Sequence, residues 1–422
     1  EIYLLLNIGL LTVRFDQDRF EFEETRKFEV RRKTYWYSEV TEFSSNLSNK
    51  KLFFDVSKML FRQKYIDKLL AKKVVDYVLD KYFSINVKYL PENLVQDEKY
   101  LLLRECLYFS FVIECKILQS KQPVDFKCFL NDPNIRSTTL SLINAELAPS
   151  TEAKISGKGG LFYRKGIGEV YRGPLGFKHG IRKFASQLLS AMKTTEKGKD
   201  FLGELGKAFE HDYVVNYLKG LSSFGYTVHT GFKANRKSLV KGYDVDLVIE
   251  DTDNDIYYFV QAKYKFTSNP TYFSEQFELF GQNTFKKGYI DQLITLRENF
   301  EHEEIRQQLK SKGLSGATIT NSYFLLLHNL PFLNFYEHKG VLFYEWNLLR
   351  NVLKNSRVYW QKDNAAGVTH GDKVPLYSPR DMVDAYLDSQ ENGKALKEQY
   401  SLFKRTRCFI KHEKMKVSAP LI

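Results

Sequence analysis

Apolar and polar positions change their period several times along this chain, and the changes divide it. Near the N-terminus Phe20 and Phe22 alternate with polar residues, a period of two that predicts strands up to about Phe43. From Asp55 the period becomes helical. Val56, Met59, Leu60, Tyr65, Leu69, Leu70, Val74 and Val78 form a long stripe, and Leu101 to Leu118 reads as a helix buried on several sides. Pro123, Pro133 and Pro149 punctuate the loops of this part. Ser156 to Lys183 has no period, Phe184 to Met192 is a short helix, and Lys193 to Lys199 is a polar break.

Beyond the break the elements follow one another closely. Leu202, Leu205, Phe209, Val214, Tyr217 and Leu218 predict an amphipathic helix, and Tyr226 to Gly231 a strand. Val245, Leu247 and Ile249 alternate with Asp244, Asp246 and Val248, while Ile256 to Lys263 is aromatic and β-branched. Glu250 to Asp255 between them has hairpin-turn composition. Tyr289, Ile290, Leu293 and Leu296 give a helix that also carries Gln292. Ser322 to His328 reads as a central buried strand, Val341 to Tyr344 as an edge strand and Trp346 to Leu353 as a helix. Helices near Asp381 to Leu387 and Lys394 to Phe403 precede a basic tail through Lys416. The expected division is a β-rich segment (1–50), a helical accessory domain (51–155), a Gly/Lys/Arg-rich linker with a short helix (156–197), an α/β domain (198–360) and a C-terminal helical extension (361–422).

The α/β segment holds the candidate chemistry. Side chains two apart in a strand share a face, so Asp244 pairs with Asp246 and Gln261 with Lys263. Folding at the turn sets Asp246 opposite Gln261, and cross-strand Cβ atoms lie about 5 Å apart. Glu210 flanks the buried stripe of the preceding helix. Carboxylates and amide oxygens suit Mg²⁺, and a lysine beside such an ion can orient or deprotonate a water. Either half of the pattern alone is equally a solvated hairpin face; the conjunction favours hydrolysis of a phosphodiester.

This pattern resembles the restriction-endonuclease-like, or PD-(D/E)XK, nuclease superfamily in its Gln-x-Lys variant, as in Mrr-like catalytic domains. The resemblance covers about Phe201 to Phe300 and extends towards Leu348. It implies an α/β (α+β) core with a mixed sheet flanked by helices, and Mg²⁺ or Mn²⁺ as cofactor. It also implies that Asp246 is the central metal ligand, that Gln261 replaces the usual second acid, and that Lys263 is the catalytic lysine. Glu210 then matches the helix acid, and the Ala262 carbonyl adds a ligand. A polar residue on a later helix reaches the site in several relatives, which makes Gln292 a weaker candidate beside its plain reading as a surface glutamine. The neutral Gln261 departs from the acidic pattern, and Asp244 shares its face with Asp246. The implied function is a Mg²⁺-dependent DNA endonuclease in restriction or anti-phage defence, acting as a homodimer or as a partner subunit. The alternatives are an inactive nuclease-fold binding module and an RNA-cleaving nuclease.

Charge supports a polyanionic partner. Lys and Arg number 63 against 51 Asp and Glu, a net charge of +12. Cations crowd among glycines at Lys158, Arg164, Lys165, Arg172, Lys178, Arg182 and Lys183, and a second group, Lys233, Arg236, Lys237 and Lys241, leads into Asp244. Both are candidates for phosphate contacts, against the plainer reading as solvated loops. Lys27 to Tyr37 interleaves cations with aromatics, which suits a nucleic-acid face or an ordinary exposed sheet. No Gly-x-x-x-x-Gly-Lys-Ser/Thr loop occurs. The four cysteines, Cys106, Cys115, Cys128 and Cys408, lack metal-finger spacing and predict free thiols in a reducing cytoplasm. Ile2 to Val13 is too short to span a bilayer and has no basic stretch before it, so neither a membrane span nor a signal peptide is expected. His328 is expected to be packed, and His370 and His412 stand apart from any acid cluster.

Overall fold

A computed structural model describes residues 47–63, 65–120, 123–147, 161–165, 168–173, 177–192, 200–220, 225–266, 288–330 and 336–353. Towards the two ends it describes 6, 9, 11–16, 19–25, 28, 359–361, 368–370, 376–378, 401, 407–412 and 415–420. The chain forms two compact units, one of residues 1–43, 215–263 and 273–422, the other of 44–214 and 264–272.

The N-terminal alternation forms a hairpin of β1 (Leu11–Asp16) and β2 (Arg19–Glu24). Strand β2 also pairs in parallel with Met415–Pro420, which pairs with Arg407–His412. The C-terminal segment thus contains strands where a helical extension was expected. The expected helices at 381–387 and 394–403 fall outside the described residues, Ser401 excepted, as does most of Lys27 to Tyr37.

The second unit is built on helices α1 (Leu47–Arg62), α2 (Lys68–Phe83), α3 (Glu98–Ser120) and α4 (Ser137–Glu146). Every residue from Cys106 to Cys115 on α3 is buried, so this helix is the unit's core, as its apolar run predicts. The long stripe from Val56 to Val78 is two helices. The Asp67 carboxylate accepts the Leu70 N–H at 2.8 Å and caps α2. That restart resets the helical phase, which leaves Leu69 66% and Tyr65 40% exposed while Val56, Leu60, Leu70, Val74 and Val78 are buried.

The glycine- and cation-rich stretch is structured where it is described. Strand β3 (Val124–Asp125) pairs with β5 (Glu169–Arg172), which pairs with β4 (Phe162–Lys165), and α5 (Phe177–Ala191) follows. After α6 (Phe201–Lys207) the helix widens into a π segment, Ala208–Val214, and returns to α-geometry in α7 (Val215–Lys219). Leu205, Phe209, Val214 and Leu218 are buried as expected, whereas Leu202 is 37% exposed.

The first unit carries a six-stranded sheet of β6 (Tyr226–Lys233), β7 (Asp244–Asp251), β8 (Ile256–Lys263), β9 (Ser322–His328), β10 (Tyr336–His338) and β11 (Val341–Glu345). Its order is β10-β11-β9-β8-β7-β6. The pairs β6·β7, β7·β8 and β10·β11 are antiparallel; β8·β9 and β9·β11 are parallel. The mixed α/β class therefore holds. Strand β9 is central and buried, as its continuous apolar run predicts. Strand β11, expected at the edge, is interior because the short β10 pairs outside it.

Helices α8 (Tyr289–Glu298), α9 (Glu303–Ser311) and α10 (Trp346–Leu353) complete this unit. Phe300, just after α8, meets Phe259 of β8 edge-on at 5.3 Å, and Phe259 stacks on Phe324 of β9 at 5.6 Å. Those rings fix α8 over the sheet face that carries the odd-numbered residues of β8. Trp346 is fully buried and meets Tyr217 edge-on at 5.3 Å. His328 is buried, its Nδ1 accepts the Leu330 N–H at 3.2 Å, and it packs near Phe343.

Candidate active site

The hairpin of β7 and β8 is in regular register from Asp251↔Ile256 to Leu247↔Val260 and then stops. One step further the same register sets Asp246 opposite Gln261, as the sequence predicts. Here a side chain takes over from the backbone ladder: the Ala262 N–H donates to Asp246 Oδ2 at 2.7 Å. In an extended strand the N–H and C=O of one residue point to the same side. The Ala262 carbonyl therefore also faces the β7 edge, beside the Asp246 carboxylate.

A glycine permits this departure. Gly231 of β6 lies level with Asp246, between the pairs Thr230↔Leu247 and Phe232↔Val245. A Cβ at Gly231 would overlap the carbonyl oxygens of Val245 and Asp246. Only a residue without a side chain lets the β7 backbone come so near.

Gln261 and Lys263 share the face under α8. The Gln261 side chain is fully buried and its Nε2 donates to Oε1 of Gln292 on α8. Its own Oε1 is buried without a hydrogen-bond partner. The Lys263 ammonium lies 5.5 Å from the centre of the Tyr289 ring, at the start of α8. The Asp291 carboxylate fixes that helix start by accepting the Gly288 N–H at 2.6 Å. Asp246, Gln261, Ala262, Lys263 and Gln292 thus gather at one end of the sheet. Gln292 is engaged with Gln261 and is not a surface glutamine. Asp244 pairs with Lys233 at the start of β7, and of the two aspartates it is Asp246 that reaches β8.

Glu210 belongs to the second unit and sits in the π segment. Its Oε1 accepts the Tyr264 N–H at 3.3 Å, and Tyr264 follows Lys263 directly in the chain. Tyr264 stacks obliquely on Phe209 at 5.3 Å. Burial pushes the Tyr264 hydroxyl well above the usual tyrosine range, against the pull of Arg182. The π winding had no trace in the hydrophobic period, yet such segments often mark functional positions.

The cations sort into two groups. Arg182 is 3% exposed, donates to the Tyr82 carbonyl at 2.7 Å and lies over the Phe83 ring at 5.8 Å, so its charge is spent inside the fold. Arg172 meets the buried Glu114 carboxylate at 3.0 Å, and Arg164 donates to Asn144. Burial raises the Glu114 pKa and Arg172 opposes it. These three, proposed from sequence as phosphate contacts, are partners of their own unit. Lys183 is half-buried on α5, Lys165 and Lys178 lie on β4 and α5, and Lys158 falls outside the described residues. By contrast Lys233, Arg236, Lys237 and Lys241 are all exposed.

Among the described residues no three His, Cys, Asp or Glu side chains cluster as a metal site. An oxygen-donor set that mixes a carboxylate, a buried amide oxygen lacking a partner and a main-chain carbonyl is still suited to a hard cation. Cys106 and Cys115 are buried free thiols, and burial, helped by Glu114, pushes Cys115 up to about 12. No described helix is long and apolar enough to cross a membrane. Comparison with protein-family models, curated proteins and solved structures gives no match to this chain.

Proposed function

We propose that the chain is a Mg²⁺-dependent nuclease that hydrolyses DNA phosphodiesters at the end of β7 and β8. The observation that carries this reading is the Asp246–Ala262 hydrogen bond at the point where the ladder ends, beside the unpartnered Gln261 oxygen and next to Lys263. Asp246, Gln261 Oε1 and the Ala262 carbonyl would hold the cation. A bound Mg²⁺ supplies Lewis-acid stabilisation of phosphate charge and a more acidic water. Lys263 contributes a positive charge for the scissile phosphate and a donor that orients the attacking water. The Tyr289 ring beside it, with its negative face, keeps the ammonium in place. Gln292 fixes the Gln261 amide so that its oxygen stays turned to the ligand. The basic loop before β7 supports a polyanionic substrate. A place in restriction or anti-phage defence, alone or with a partner subunit, follows from the family resemblance and is proposed with it.

One feature favours a second reading. The sheet contributes a single acid to the set, so a binding module that keeps the framework without turnover is the alternative. One experiment separates them. Purified protein is incubated with Mg²⁺ or Mn²⁺ and with plasmid, linear duplex, single-stranded DNA and RNA. Cleavage of DNA that disappears in Asp246→Asn and Lys263→Ala supports the nuclease. Binding without products in either metal overturns it, and products from RNA alone change the substrate.

A further inference from the structure

The loop that enters β7 is built to stay in one shape. The Asn235 side chain accepts the N–H groups of Lys237 at 2.8 Å and Ser238 at 3.1 Å, and Ser238 Oγ accepts the Asn235 N–H at 2.9 Å. Lys241 Nζ ties back to the carbonyls of Asn235 at 3.2 Å and Arg236 at 2.7 Å. From α9, Glu304 Oε2 accepts the Leu239 N–H at 2.6 Å and the Val240 N–H at 3.2 Å. Val240 and Tyr243 are buried and anchor the loop's return to the sheet.

Within that frame Leu239 is 79% exposed. A single surface leucine is ordinary. This one differs because the Leu239 and Val240 N–H groups are both bonded to Glu304, which fixes the backbone and so the direction in which the side chain leaves it. Exposed Arg236 and Lys237 precede it, and Lys233 lies at the loop's base. Lys241 adds charge, though its ammonium is engaged within the loop. Leu239 and Lys237 border a groove that Glu303 and Glu304 also line, so Lys233 and Arg236, outside it, are the better phosphate contacts.

We propose that Leu239 is a wedge that enters duplex DNA between base steps while Arg236, Lys237 and Lys233 hold the flanking phosphates. Apolar side chains used this way unstack a step and bend the duplex; the cost is offset by added contact and by phosphate neutralisation. The proposal rests on the nuclease reading, because Asp244 and Asp246 follow the loop directly and share its substrate. A leucine among cations also suits an anionic lipid surface; the position of the loop at the head of β7 favours DNA.

The test uses the full chain carrying Lys263→Ala, so that DNA stays intact, with short duplexes containing 2-aminopurine at several steps. Binding should raise the fluorescence as bases unstack. Adding Leu239→Ala should abolish the rise and weaken binding about tenfold, the loss expected for a buried leucine stem. The salt slope of binding should not change. Arg236→Ala should lower that slope by about one and keep the rise. Thermal melting checks that both variants are folded. Equal rise and affinity in Leu239→Ala overturn the wedge, as does Leu239-dependent binding to phosphatidylserine vesicles without a fluorescence change on DNA. If the otherwise native chain cuts DNA and Leu239→Ala cuts equally well without unstacking, the wedge falls and the nuclease stands. If the rise depends on Leu239 but no metal supports cleavage, the nuclease falls and the wedge stands. No binding to any duplex removes both.

Discussion

The hairpin of β7 and β8 carries a polar cluster at each end, on one face of the sheet, and the fold treats the two oppositely. Near the turn, Glu250 has both carboxylate oxygens engaged, Oε2 with His229 Nε2 at 2.6 Å and Oε1 with the Tyr257 hydroxyl at 3.2 Å. Burial, then Glu250, pushes that hydroxyl up to about 12. This cluster is closed on itself. At the other end Asp246 replaces a rung of the ladder, and Gln261 is fully buried with an oxygen that has no partner. A buried acceptor left unpaired costs about 1–3 kcal/mol, so native folds retain few of them. The closed end has its polar atoms paired within the hairpin; the open end leaves the Gln261 oxygen without a protein partner, as the proposed cation site requires.

The sharpest way to break this contrast is to remove charge at each end. Asp246→Asn keeps an acceptor for the Ala262 N–H and loses only the charge. It and Lys263→Ala should each lower Mg²⁺-dependent cleavage by at least about 10²-fold, the usual scale for groups that stabilise developing charge. Their melting curves should match the unaltered protein. Glu250→Gln should do the reverse, with stability lower by about 1 kcal/mol and turnover per folded molecule unchanged. Plasmid nicking and urea unfolding measure the two quantities. Equal activity losses at both ends would sink the contrast.

A second substitution separates holding a ligand from holding the fold. Replacing both partners of a buried polar pair by apolar groups of similar shape is close to neutral or stabilising. Gln261→Met combined with Gln292→Leu should therefore leave stability unchanged within about 1 kcal/mol, or raise it, while cleavage is lost. Gln261→Met alone leaves Gln292 unpaired and should be the less stable of the two. A double variant that unfolds would mean that the amide pair serves packing.

How much of this was legible in the sequence depends on range. The alternation around Asp246, the turn at Glu250 to Asp255 and the apolar run of β9 are local signals, and each strand formed where its pattern lies. That Asp246 and Gln261 lie level, one step beyond the last paired residues, followed from the turn length. What stayed hidden is either too short to show a pattern or depends on residues far apart in the chain. Strand β10 has only three residues, too few for a period, yet it moves β11 from the edge to the interior. Arg182 reads as one more cation in a basic stretch until the Tyr82 carbonyl and the Phe83 ring are beside it. Gln292 stands next to Leu293 of the apolar stripe, a faint sign that it faces inward, but its partner lies on another element. Gly231 reads from sequence as the end of its strand, but β6 continues to Lys233, so the glycine lies inside it where the β7 backbone comes close.

That glycine gives the next prediction. Gly231→Ala should destabilise the sheet unit by roughly 1–3 kcal/mol, the usual cost of forcing extra volume into a packed site. The β7 backbone must move to admit the methyl group, and the movement shifts Asp246 relative to Ala262. Cleavage should therefore fall further than the loss of folded protein explains, whereas the Glu250 cluster at the closed end should keep its geometry. Urea unfolding and amide exchange at Ala262 and Tyr257 resolve the two ends. Loss of protection at Tyr257 together with Ala262 would show that the ends are not independent.

The smallest effect concerns pH and the loop that leads to the open end. Partial burial tends to raise the Glu304 pKa, but hydrogen bonds from Ser238 and from the Leu239 and Val240 N–H groups outweigh it and hold the carboxyl below its usual value. A carboxyl with a depressed folded-state pKa adds stability that is present above the unfolded value of 4.5 and is lost as pH falls through the lower, folded one. The amide resonances of Leu239 and Val240 should thus titrate together, with a midpoint below 4.5. Because Glu304 is solvated, screening keeps the effect on global unfolding small. Glu304→Gln should remove the titration at both amides and loosen the loop at neutral pH, read as faster exchange there. If both amides remain protected in Glu304→Gln, the turn of Asn235 and Ser238 holds the loop unaided, and the rigidity that keeps Leu239 in solvent has a local origin.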